Sequence, residues 1–173
     1  MNMTRETIGN RILIAMSNRP DALDLVRTVA DHLRSPAATH VTLMHYLLPM
    51  GWEHGGDDSP AAVAEHKRIE ALAAQNEEEA EAQEESNFAK AQAILEAAGV
   101  PATQIKTSER WDSTDAAHAV LDELRQGVYT TVVVGEHHHN FLDALFGTSM
   151  TEFLQRHVGN KLTVWSIPQA ERV

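Results

Sequence analysis

Tyr129-Thr130-Thr131-Val132-Val133-Val134 is the most strand-like stretch of the chain. β-Branched and aromatic residues fit a pleated backbone, and a run of three valines predicts burial on both faces. Such a strand belongs in the interior of a parallel sheet. Arg11-Ile12-Leu13-Ile14-Ala15-Met16 has the same character and predicts a second doubly buried strand.

Moving outward, the segments between strands carry helical spacing. Leu25, Val29 and Leu33, with Ala22 and Val26 beside them, predict a helix over 21–33, after the turn residues Ser17-Asn18-Arg19-Pro20. A strand is expected over 40–48, then a loop over 49–60. A long helix over 61–98 carries an apolar stripe at Phe88, Ala91, Leu95 and Ala98. Its middle, Glu77 to Glu85, has no large apolar residue and reads as a solvated acidic face projecting past the body. Gly99 and Pro101 stop that helix. A polar strand over 103–110 suits a sheet edge. Asp112 or Ser113 caps a helix that buries Ala117, Val120, Leu121 and Leu124 and closes at Gly127. Residues 135–146 read as a loop. Gly147-Thr148-Ser149 opens a last helix with Met150, Phe153, Leu154, His157 and Val158, which Gly159-Asn160 ends. Leu162 to Ile167 is the closing strand. Strands alternating with helices imply an α/β fold, a parallel sheet with helices on both faces and a ligand crevice at the strands' carboxyl ends.

Composition narrows the function classes. The 173 residues, 43% of them apolar, suffice for one hydrophobic core, so a single domain is expected over 1–173, with the loop and long acidic helix at about 50–98 as its unusual part. There is no cysteine, which removes disulfides, thiolate metal sites and cysteine nucleophiles. The net charge of −11 opposes binding to nucleic-acid backbones and to anionic membranes. Residues 1–10 are polar, no apolar run is long enough to span a bilayer, and a cytoplasmic protein is expected.

The pieces from Val132-Val133-Val134-Gly135 through Gly147-Thr148-Ser149 and Phe153-Leu154-Gln155-Arg156-His157 to Leu162-Thr163-Val164-Trp165 resemble the universal stress protein family. Ile12 to Met16 and Leu43-Met44-His45 resemble its first two strands, and the region from Pro49 to Ser86 fits least. The resemblance implies a single-domain Rossmann-like sheet of five parallel strands in the order 3-2-1-4-5. It also implies a homodimer joined through the last strand near Val164 and Trp165, and a non-enzymatic stress-response or signalling role. Some members of the family bind ATP and others do not. The binding members carry Gly, two residues, Gly, nine residues, then Gly with Ser or Thr, and an Asp at the end of the first strand. Here Gly135 and Gly147-Thr148 match the ends of that pattern, His138 replaces its second Gly, the spacing is one residue short, and Ser17 stands at the Asp position.

The nucleotide-site candidates are therefore Ser17, Asn18, Gly135, His138, Gly147, Thr148 and Ser149, with ATP or AMP and magnesium as the candidate ligands. The free N–H groups and partial positive charge of a helix start favour an anion at Gly147-Thr148-Ser149, and the blander alternative is that Thr148 or Ser149 caps the helix. Gly135 admits close approach of a ribose or phosphate, or makes a tight turn. His137-His138-His139 points in different directions in an extended loop, so no metal site is assigned, although His118 and His157 are conceivable partners. Trp165 reads as a core or interface residue. No Lys follows a glycine loop and no nucleophile elbow is present, so no catalytic residue is assigned. A non-nucleotide-binding interaction protein of the same fold and a slow nucleotide hydrolase are the alternatives.

Overall fold

The computed structural model describes residues 10–16, 22–46, 79, 82, 85–110, 116–136 and 150–168. Five strands, β1 (Arg11–Met16), β2 (His40–Tyr46), β3 (Ile105–Arg110), β4 (Thr131–Glu136) and β5 (Thr163–Pro168), form one sheet. Its order is β3-β2-β1-β4-β5, and every pairing is parallel. This is the expected Rossmann-like topology. Helices α1 (Ala22–His32), α2 (85–97), α3 (Ala116–Gln126) and α4 (Met150–Val158) connect the strands.

The alternation of side chains along the strands divides the core in two. Ile12, Ile14, Leu43 and Val133 pack with Leu25, Val26 and Val29 of α1 and with Ala91 and Leu95 of α2. Leu13, Met44, Val132 and Val134 pack on the other face with Val120, Leu121 and Leu124 of α3 and with Leu154 and Val158 of α4. The first two crossovers thus cover one face and the last two the other. Successive residues of β1 and β4 enter opposite cores, so both faces must be apolar, and Ile12, Leu13, Ile14, Val132 and Val133 are fully buried.

The ends of the elements follow the local chemistry. Gly99 takes φ +100°, a left-handed conformation that suits glycine, and the Val100 N–H then donates to the Leu95 carbonyl at 3.0 Å, closing α2. The expected third strand begins two residues late because Ala102–Gln104 forms a 3-10 turn instead. β4 is shifted toward its carboxyl end. Tyr129 and Thr130 precede it, and Gly135 and Glu136, expected in the loop, belong to it through pairing with Ile167 and Pro168 of β5. β3 and β5 are the edges, β3 being polar as anticipated and β5 half-buried over most of its length. The expected loop at 49–60 and all of the acidic run except residues 79, 82 and 85 lie outside the described residues.

Candidate functional site

Two neighbouring strands with crossovers on opposite faces leave a crevice at their carboxyl ends. In this sheet those strands are β1 and β4. The chain leaves β1 at Met16 for α1 on one face and leaves β4 at Glu136 for α4 on the other. Pairing between them runs Ile12↔Thr131, Leu13↔Val132 and Ile14↔Val133, and among the described residues it stops there. β1 continues to Met16 in register with β2 as far as Met16↔His45, while β4 continues to Glu136 in register with β5. The two central strands therefore part after Ile14 and Val133, each keeping its outer neighbour.

The described floor of this opening is largely apolar. Ala15, Met16 and Val134 are buried. Gly135 lies at the penultimate position of β4 and is half-buried. It is the one sequence-derived candidate within the described residues. Ser17, Asn18, His138, Gly147, Thr148 and Ser149 lie outside them. Ser17 and Asn18 follow Met16 directly in sequence, and Gly147, Thr148 and Ser149 precede the first described residue of α4.

Two polar residues near these strand ends escaped the sequence reading. His45, in register with Met16, is 3% exposed. Desolvation lowers its pKa from 6.5 to about 4, so the ring is neutral near pH 7. The Phe88 ring of α2 meets it edge-on, with centroids 6.3 Å apart. Ser166 of β5 pairs in register with Val134, and its buried Oγ has no hydrogen-bond partner among the described residues. A histidine in Leu43-Met44-His45 and a serine between Trp165 and Ile167 were the available signals. Neither is distinctive in an otherwise apolar strand.

Among the described residues His118, His157 and Trp165 make ring contacts. His118 and His157 each lie against Phe153, with centroids at 4.9 and 4.2 Å, and His157 Nδ1 lies 2.8 Å from the Phe153 carbonyl. Among the described residues no group of three His, Asp or Glu side chains is placed to hold a metal. His137 and His139 lie outside them. Trp165 packs partly buried against the α1 side of the core and meets His32 edge-on at 5.3 Å. No helix among the described residues is long and apolar enough to cross a membrane.

The profile of the Universal stress protein family matches residues 9–164. No curated protein sequence matches the chain. Similar solved structures include a universal stress protein family member from Burkholderia pseudomallei, with 19% identity, 92% of this chain and 96% of that one covered, and a TM-score of 0.55. Another is a universal stress protein in complex with cAMP, with 13% identity, 95% and 100% covered, and a TM-score of 0.59. Universal stress protein UspA from Lactobacillus plantarum has 15% identity, 91% and 97% covered, and a TM-score of 0.54.

Proposed function

The chain belongs to the universal stress protein family, and from that premise we propose that it is a non-enzymatic, cytoplasmic stress-response or signalling protein regulated by an adenine nucleotide in the crevice between β1 and β4. The observation that carries this reading is the parting of the two central strands after Ile14↔Val133, at the point where their crossovers turn to opposite faces. That geometry frees backbone groups at the strand ends for a base and ribose, above the packed core residues Ala15, Met16 and Val134.

In this reading Gly135 lets the sugar approach the end of β4. Gly147, Thr148 and Ser149, just ahead of α4, offer N–H and hydroxyl donors to phosphate. His138 adds a donor, and Ser17 and Asn18 flank the base. ATP or AMP, with magnesium for the triphosphate, are the proposed ligands, and a protein of similar fold solved with cAMP supports the class. Native mass spectrometry of the purified chain should release a nucleotide. Calorimetry with ATP and magnesium, AMP and cAMP should show at least one ligand with Kd of about 1–100 μM. Nucleotide-free protein with flat titrations for all three would end this reading.

The same proposal includes a homodimer through β5. Its support is an edge strand that leaves Val164 and Trp165 only partly buried, on opposite faces of the sheet. Sedimentation should give the mass of two chains, and Val164→Lys should shift it toward one. A single-chain mass for the unaltered protein would exclude the dimer. Ser17 and His138, which depart from the family's nucleotide pattern, favour a second reading: a ligand-free interaction protein whose acidic run, Glu77 to Glu85, selects the partner. Deleting that run should then abolish partner capture while leaving the fold intact.

A further inference from the structure

The opposite end of the sheet carries a hollow of about 360 Å³, bounded by the starts of β1, β2 and β3, the end of α3 and the turn before β4. Strand alternation explains its chemistry. Arg11 pairs in register with His40, Thr42 with Lys106, and Met44 with Ser108. Leu13 and Met44, on the same strands and the same face, lie in the core beneath α3 and α4. Arg11, His40, Thr42, Lys106 and Ser108 share that parity, so the apolar face turns polar where α3 ends.

The floor is built by a fixed network. Glu123 is 9% exposed. Its Oε2 accepts from the Ser108 hydroxyl at 2.9 Å and its Oε1 from the Tyr129 hydroxyl at 2.7 Å. The Tyr129 ring lies so close over Gly127 that a Cβ there would collide with it. Both carboxylate oxygens thus have hydroxyl donors, and the exposed charges at the rim are the cations Arg11 and Lys106, with His40 beside them. In a chain of net charge −11 this is a local reversal of sign. Gln104 also lines the hollow, and its buried Oε1 has no hydrogen-bond partner among the described residues. An acceptor left without a donor is costly, and rotation of the Gln104 amide into the hollow would present it to a ligand hydroxyl.

From this juxtaposition of two exposed cations, a hydroxyl-lined floor and an orphan amide acceptor, we infer that the amino end of the sheet binds a small hydroxylated organic oxyanion. The oxyanion, carboxylate or phosphate, meets Arg11 and Lys106, and a ligand hydroxyl donates to Gln104. The volume falls in the lower part of the range of about 300–1,000 Å³ common to small-molecule sites. The site is separate from the proposed nucleotide crevice, at the other end of the strands, and does not depend on it.

The test is titration of the full chain, followed by backbone-amide NMR, with L-malate and glycerol 3-phosphate as the carboxylate and phosphate probes. Inorganic phosphate and glycerol serve as the head and body alone. At least one hydroxylated probe should saturate below about 10 mM, shifting Lys106, Ser108 and Thr130 rather than Gly135. Inorganic phosphate should bind about tenfold more weakly and glycerol not measurably. The double substitution Arg11→Ala with Lys106→Ala, both at exposed positions, should weaken the complex by about tenfold or more with an unchanged circular dichroism spectrum. Gln104→Leu should remove the advantage of the hydroxylated probe over phosphate. The inference is overturned if neither probe saturates, if inorganic phosphate binds as well as both, if the double variant retains full affinity, or if ATP displaces the probe and the shifts fall on Gly135.

Discussion

The two ends of the β1–β4 pair are built in opposite ways. At the amino end Thr130 grips Arg11 with three hydrogen bonds. The Thr130 N–H donates to the Arg11 carbonyl at 2.9 Å, its hydroxyl donates to the same carbonyl at 3.0 Å, and the Arg11 N–H donates to the Thr130 oxygen at 3.1 Å. The Thr130 carbonyl in turn accepts from the Thr163 N–H at 3.0 Å, which brings in β5. At the carboxyl end the same two strands stop pairing after Ile14↔Val133. One end is pinned by a side chain that doubles the backbone ladder, and the other is released into a crevice. The difference teaches that a parallel sheet can open at one end without loosening if its register is held at the other.

That contrast can be broken at several points. The largest effect is expected at the last shared pair. Ile14→Ala removes a fully buried side chain from the α1 core, and should lower unfolding free energy by about 3–4 kcal/mol in urea denaturation. A loss below about 1 kcal/mol would mean that Ile14↔Val133 is not a packed junction. Next, Gly147→Asp places a carboxylate beside the proposed phosphate and should weaken ATP binding at least about thirtyfold by calorimetry, with little change in Tm.

Acid should act through the carboxyl end. His45 takes up a proton near pH 6.5 when unfolded but only near pH 4 in the folded chain. The unfolded state therefore binds more protons across this window. The neutral ring's contribution is complete above about pH 6.5 and declines as the pH falls toward 4. Relative to His45→Gln, the native chain should lose of order 2 kcal/mol over that interval once solvent screening is allowed for. Parallel pH profiles for the two proteins would remove His45 as the cause.

At the pinned end, Thr130→Val deletes the hydroxyl's two hydrogen bonds and should cost about 1–2 kcal/mol, and Tyr129→Phe about 1 kcal/mol through the Glu123 contact. The smallest effect belongs to Lys106→Ala, which should stay within about 0.5 kcal/mol in stability while weakening oxyanion binding. A large stability loss there would make Lys106 a structural residue.

Much of this architecture was legible beforehand. The doubly apolar runs in Ile12–Met16 and Val132–Val134 marked interior parallel strands, and Gly99 marked the end of α2, because burial on two faces and a left-handed turn each demand particular residue types. The polar character of β3 marked an edge for the same reason. Of the candidate site, sequence reading singled out Gly135. It missed His45 and Ser166, because one polar residue in an apolar strand does not announce its neighbours.

Periodicity and composition by themselves determined which segments are strands, which faces of the helices are apolar and that the chain alternates β with α. Tertiary structure alone decided where β1 and β4 cease to pair, that Thr130 locks their beginnings, and that Arg11, His40 and Lys106 share one face with the Glu123 network. The physical reason is distance along the chain. Helical and strand periods are written in neighbouring residues, whereas Arg11 and Thr130 are 119 positions apart and meet only when the sheet's register is set.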